Sequence, residues 1–180
     1  MSPPRGPKPA SRARIAPQEL VRRAAGIRLL LLDVDGVLTD GRLYYGPEGE
    51  ALKAFDVKDG HGIVLLRDHV QLGVISGRPG KASQRRLEEL RFQHLVFGER
   101  DKLAGYARLA HLGVPDAEVA YMGDDVNDVA LLRKVGLAAA PADARPEARD
   151  AAHFVASSPG GRGAVRELCD LILRAKGVGA

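Results

Sequence analysis

Residues 27–37 read Ile27-Arg28-Leu29-Leu30-Leu31-Leu32-Asp33-Val34-Asp35-Gly36-Val37. The span Ile27–Val34 is short and largely apolar and runs into acidic and glycine residues, the pattern of a strand buried on both faces of a parallel sheet. Asp33 and Asp35, one residue apart at its end, bring like charges together, which is costly without a compensating cation. A regular strand would point them to opposite faces, so the chain is expected to turn at Asp35-Gly36 and bring both to one site. Taken alone, the same residues also fit an acidic loop with a helix cap.

The pattern repeats downstream. A β-hairpin is expected within Gly41–Val57, where Tyr44, Tyr45 and Phe55 flank a turn near Gly46–Gly49. Helical spacing follows over Gly62–Asp68, a buried strand over Val70–Ser76, and a helix over Lys81–Leu90 with Leu87 and Leu90 on its apolar side. Next come a strand over His94–Phe97, a helix over Asp101–Leu112, a strand over Val119–Met122 and a helix over Val126–Val135. Leu137–Ala140 and His153–Val155 read as short outer strands, Ser157–Gly163 as a loop, Ala164–Lys176 as a final helix, and Gln18–Ala25 as a short helix ahead of the first strand. Such alternation predicts an α/β sandwich around a parallel sheet. In such sheets ligands bind beyond the carboxyl ends of the strands, so functional groups should follow the apolar runs.

They do. Gly123-Asp124-Asp125-Val126-Asn127-Asp128 follows the strand at Val119–Met122. Asp125 or Asn127 can serve as a helix cap, but a second acidic cluster at a second strand end exceeds what capping requires. Together the clusters offer the hard oxygen ligands that Mg²⁺ prefers. No Cys/His grouping competes for zinc, and His61, His69, His94, His111 and His153 are scattered. Ser76-Gly77-Arg78 presents a hydroxyl and backbone N–H groups ahead of a helix, suited to phosphate oxygens. Lys102 opens another helix and can place an ammonium near the same anion.

In order and spacing, Asp33-Val34-Asp35-Gly36-Val37, Ser76, Lys102 and Gly123-Asp124-Asp125-x-Asn127-Asp128 resemble the four motifs of the haloacid dehalogenase superfamily. The resemblance implies a three-layer α/β/α Rossmann-like fold with a central parallel sheet. It also implies that Asp33 attacks phosphorus to form an aspartyl-phosphate. Asp35 is then general acid and base, with Ser76 and Lys102 binding the transferring phosphoryl group. Asp33, Asp124 and the backbone carbonyl of Asp35 would hold Mg²⁺, with Asp128 acting through water or orienting its neighbours.

Three longer stretches narrow the resemblance: Asp33–Gly41, Phe55-x-Val57-x-Asp59-Gly60-x-Gly62-Ile63, and Gly160–Glu167. They are similar to a capless branch, the 3-deoxy-D-manno-octulosonate 8-phosphate phosphatase family, over about Ile27 to Lys176. That likeness implies hydrolysis of a sugar-acid phosphate in lipopolysaccharide biosynthesis. It further implies no cap domain and a homotetramer in which hairpin flaps pack together and a neighbour helps close each site. Gly36, Gly77 and Arg78 become candidate substrate contacts, Arg78 toward the sugar carboxylate, and Gly161-Arg162-Gly163 is placed to approach a neighbouring site. The alternatives are a phosphatase for nine-carbon sialic- or KDN-type 9-phosphates, a phosphotransferase, and a non-catalytic oligomeric binding module. The last has no need of Asp33, Asp35, Lys102 and Asp124 together.

Composition sets the remaining bounds. The chain of 180 residues is 45% apolar but only 4% aromatic, without Trp, so Leu, Val, Ile and Ala must build the core of one domain. The single cysteine, Cys169, excludes an internal disulfide framework and suits a reducing cytoplasm. Much of the net charge of +4 comes from Arg5, Lys8, Arg12, Arg14, Arg22 and Arg23. Residues 1–25 therefore read as a flexible basic arm and 26–180 as the phosphatase domain. The arm reads as a solubilising extension, with nucleic acid the less expected partner. Leu29–Leu32 is among the longest apolar runs and is far short of the roughly 20 residues a membrane span needs, so a soluble protein with no membrane partner is expected.

Overall fold

The four leucines of the first strand are buried on both sides of a sheet, which is why no polar alternation marks them. The computed structural model describes residues 15–179. It opens with helix α1 (Pro17–Ala25), strand β1 (Leu29–Leu32), a hairpin of β2 (Tyr44–Gly46) and β3 (Gly49–Leu52), helix α2 (Val57–Leu66) and strand β4 (Gln71–Ser76). Next come α3 (Lys81–Glu89), β5 (His94–Phe97), α4 (Lys102–Ala107), β6 (Val119–Met122) and α5 (Val129–Lys134). The last elements are β7 (Leu137–Ala140), α6 (Pro146–Ala151), β8 (Phe154–Val155) and α7 (Ala164–Ala175).

Six strands form one parallel sheet in the order β5-β4-β1-β6-β7-β8, and β2-β3 forms a separate antiparallel ribbon. Successive residues of β1 feed opposite cores. Leu30 and Leu32 pack with Ile63, Leu66, Leu87, Leu168 and Ile172 beneath α1, α2, α3 and α7. Leu29 and Leu31 pack with Tyr121, Leu131, Leu132 and Ala148 beneath α5 and α6. This is the expected three-layer α/β/α sandwich, and among the described residues no cap domain interrupts it. Gly73 of β4 makes the close packing possible, because a Cβ there would lie 2.6 Å from Leu31 Cδ2.

The structure moves the first domain boundary. Residues 17–25 are not part of a flexible arm but form α1, in which Ala24 is fully buried and Arg22 and Arg23 both pair with Glu19. Arg23 also donates to the carbonyl of Gly136 at 2.9 Å, and Lys176 beyond α7 donates to the carbonyl of Ala25 at 3.0 Å. An amphipathic face and Pro17 at the helix start account for the helix. Residues 1–14 of the expected arm lie outside the described residues.

Two other differences are local. Helix α2 begins at Val57, earlier than its apolar spacing suggests, because the Asp56 carboxylate caps it by accepting from the N–H groups of Lys58 and Asp59. Helix α6, started by Pro146 at its first turn, fills the span between the two outer strands.

Candidate active site

From β1 the chain crosses to β4 and β5 on one side, then returns to β6 and β7 on the other. Such a reversal opens a crevice beyond the carboxyl ends of the two central strands. Asp33 follows β1 directly, Asp124 comes two residues after β6, Ser76 ends β4, and Lys102 begins α4. All four sequence motifs therefore converge on this crevice, a cleft of about 390 Å³ whose lining includes Asp33, Asp35, Ser76 and Asp124.

At its floor the Lys102 ammonium, with its side chain fully buried, lies 2.7 Å from Asp33 Oδ2 and 3.5 Å from Asp128 Oδ1 and donates to the Ile75 carbonyl at 2.8 Å. Carboxylate oxygens of Asp33, Asp124 and Asp128 all lie within 4.8 Å of one another. One ammonium thus faces three carboxylates. Burial, reinforced by Asp128 and Asp33, pushes Asp124 up to about 8. Burial also pushes Asp33 up to about 6, against the pull of Lys102. A site that resists its own negative charge this strongly suits a divalent cation held by oxygen ligands.

Asp128 is the fixed point of the cluster. It is fully buried, accepts from the Tyr121 hydroxyl at 2.6 Å through Oδ1, and accepts from the N–H groups of Asp124 and Asp125 at 2.9 and 3.0 Å through Oδ2. Those bonds orient the Asp124 loop, and Asp125 and Asp128 close a reciprocal capping box ahead of α5. The contribution of Tyr121 has no motif to announce it, because it is an ordinary inward-facing residue of β6.

The turn after β1 is as expected. Gly36 has φ +85°, and a Cβ there would lie 2.1 Å from Asp124 Oδ2, so only glycine lets the two acidic loops meet. Behind this turn, the backbone of Gly160 and Gly161 presses on residues 36–40, with Gly161 N–H donating to the Val37 carbonyl at 2.9 Å. Asp59 anchors that brace by accepting from the N–H groups of Gly163 and Arg166 at the start of α7. Within this chain the 160–163 loop buttresses the Asp33–Asp35 loop, and Arg162 reaches Asp40 at 3.8 Å.

At the cleft mouth, Lys53 and Arg100, which no motif indicated, join the expected Ser76 and Arg78. The side chain of Lys53, in the segment after β3, is only 1% exposed, and its ammonium is hydrogen-bonded to Asp35 Oδ1. Arg78 donates to the Tyr45 hydroxyl at 2.9 Å and to Glu50 at 3.4 Å, and its Nε lies 3.8 Å from Asp35 Oδ2. It is therefore already engaged by the hairpin. Arg100 lines the cleft beside Gly77 with an exposed side chain. The Ser76 hydroxyl closes its own turn, accepting from Arg78 N–H and lying within 3.3 Å of the Arg78 carbonyl.

Residues 92–168 match the haloacid dehalogenase-like hydrolase family. The chain is 48% identical over 160 residues to 3-deoxy-D-manno-octulosonate 8-phosphate phosphatase KdsC of Yersinia pestis, covering 88% of this chain and 86% of that protein. A crystal structure of the Moraxella catarrhalis phosphatase of the same name, in complex with magnesium, phosphate and KDO, superposes with a TM-score of 0.86 at 36% identity, covering 90% of this chain and 94% of that one. The cobalt-bound Haemophilus influenzae phosphatase superposes with a TM-score of 0.83 at 39% identity, over 86% of this chain and 92% of that one. With these likenesses spanning nearly the whole chain, and with the four motifs meeting in one crevice, the chain belongs to the 3-deoxy-D-manno-octulosonate 8-phosphate phosphatase family of haloacid dehalogenase-like hydrolases.

Proposed function

We propose that this chain is a Mg²⁺-dependent phosphoric monoester hydrolase that converts 3-deoxy-D-manno-octulosonate 8-phosphate to the free sugar acid and phosphate, a step of lipopolysaccharide biosynthesis in the cytoplasm. The observation that carries the reading is the Lys102–Asp33 pair at the switch-point crevice, flanked by Asp124 and Asp128. The magnesium and cobalt of its relatives support the metal assignment. Asp33, Asp124 and the Asp35 backbone carbonyl would hold the cation, while Asp128 orients Asp124. When bound, the cation supplies neutralisation of phosphoryl charge.

The chain's own residues account for the rest. An Asp33 carboxylate oxygen forms a bond to phosphorus as the phosphorus–O8 bond breaks, and Asp35 delivers a proton to the departing sugar oxygen. Water then attacks phosphorus, the bond to Asp33 breaks, and Asp35 takes up the proton, so phosphate leaves and both aspartates are regenerated. Ser76, the N–H groups at Gly36 and Gly77, and Lys102 bind the phosphoryl oxygens where charge accumulates. Arg78 meets the sugar end once the substrate displaces its contacts with the hairpin. Borohydride trapping during turnover, followed by peptide mass spectrometry, tests the route. Reduction of the acyl phosphate should convert Asp33 to homoserine, and label at another carboxylate or at none would refute the assignment.

We further infer a homotetramer built through the hairpins. Leu43, Tyr44, Tyr45, Leu52 and Val57, in the hairpin or beside it, are exposed by 39–79%, apolar surface that a subunit interface would cover. Leu52→Asp should reduce the sedimenting mass to that of a smaller assembly, and an unchanged tetramer would remove the hairpin from the interface.

A further inference from the structure

Lys53 stands outside every motif, yet it is the hairpin-side residue that touches the proposed acid and base. We propose that Lys53 is a positioning residue: it pins Oδ1 of Asp35 and thereby assigns both proton transfers to Oδ2. The inference rests on the acid and base role given to Asp35 above.

Two observations support it. The Lys53 side chain is withdrawn from solvent, and its ammonium has two carboxylate neighbours, Asp35 in direct hydrogen-bond contact and Glu50 at 3.7 Å. An ammonium buried this way costs free energy unless it is paired, so the geometry is held firmly. On the other side of the same carboxylate, Asp35 Oδ2 has no hydrogen-bond partner among the described residues, and neither does Arg78 Nε facing it at 3.8 Å.

The chemistry follows from donor rules. An ammonium only donates, so the oxygen it occupies stays an acceptor and the acid proton must reside on the other. A free aspartate has a broad, roughly two-fold terminal torsion and could offer either oxygen. Lys53 removes that ambiguity and fixes the carboxylate plane toward the cleft. Because Lys53 comes from the segment that follows β3, the hairpin also becomes part of the catalytic geometry.

Leaving-group dependence separates this role from a merely structural one. An alkyl phosphate needs its departing oxygen protonated, whereas p-nitrophenolate departs without help. Lys53→Met should slow single-turnover cleavage of octulosonate 8-phosphate by about 10- to 100-fold, with the p-nitrophenolate burst changed less than about 3-fold. Steady-state turnover of the aryl ester should also slow, because water attack on the phosphorylated enzyme still needs Asp35 as base. Lys53→Arg should recover most of the alkyl-ester rate. Melting temperature and oligomeric state are recorded for each variant, and Lys53→Gln replaces Lys53→Met if the latter does not fold. Equal slowing of both first steps, or of neither, would overturn the proposal. Asp35→Asn is the control: if it lacks the leaving-group split, the acid and base reading itself fails. If it shows the split and Lys53→Met does not, only the role of Lys53 fails.

Discussion

Replacing Gly36 by alanine tests whether the two acidic loops must meet as closely as they do. Its Cβ would lie 2.1 Å from Asp124 Oδ2 and 2.5 Å from Asp124 Cγ, at a backbone φ of +85°. An ordinary contact needs about 3.5 Å, so the Asp124 carboxylate must retreat by roughly 1 Å or more. The positive φ adds a strain of about 1–2 kcal/mol, which for a domain of this size lowers Tm by a few degrees. The larger effect falls on function, since a misplacement of about 1 Å in a reacting constellation costs on the order of 100-fold. We predict that Gly36→Ala loses about that factor in phosphate release and needs more Mg²⁺ for half-maximal activity, while its circular dichroism stays native. A Mg²⁺ titration of phosphate release beside a thermal melt reads both quantities. A lowered Tm with wild-type activity and an unchanged Mg²⁺ requirement would refute the reasoning, because the strain would be present without the displacement of Asp124.

Two further predictions concern charge and bracing. Asp124 and Asp33 have folded-state values raised to about 8 and about 6, so the metal-free fold holds protons that the unfolded chain releases near 4. Their contribution to metal-free stability is therefore greatest at low pH and is lost as pH rises toward 8. The gain in Tm on adding Mg²⁺ should grow from pH 6 to pH 8, and a gain independent of pH would contradict the repulsion argument. Asp59→Ala should lower unfolding stability by about 1–2 kcal/mol, because two N–H groups at the start of α7 lose their acceptor. Urea unfolding measures this, and a change below about 0.3 kcal/mol would show that solvent replaces Asp59 at no cost.

The strand-end groups are legible in the sequence because each follows an apolar run that can only be a buried strand, and the order of the runs brings their ends together. The turn at Gly36 is legible because two carboxylates at alternate strand positions cannot otherwise share a site. Lys53 is not legible. It lies 18 residues from Asp35 in an unremarkable hairpin sequence, and only the fold of the ribbon over the cleft buries it. The roles of Tyr121 and Asp59 are hidden too: Tyr121 reads as an ordinary inward-facing strand residue, and Asp59 finds its partners at the start of α7, far along the chain. The start of α2 is masked by Gly60 and Gly62, which weaken its helical signal, although a Cβ at either would meet Arg86 or Arg166. The boundary at residue 25 fails because proline and basic residues dominate the count, while the burial of Ala24 against the domain depends on tertiary packing.

Phosphate release from a panel of esters with and without Mg²⁺, using Asp33→Asn beside the native chain, tests the substrate and the nucleophile together. The panel sets octulosonate 8-phosphate against nine-carbon 9-phosphates and hexose phosphates. The octulosonate ester should be hydrolysed in preference to the others and only with Mg²⁺, and Asp33→Asn should show no turnover. Equal or faster hydrolysis of a nine-carbon ester would contradict the substrate assignment, and release by Asp33→Asn at the native rate would contradict the mechanism.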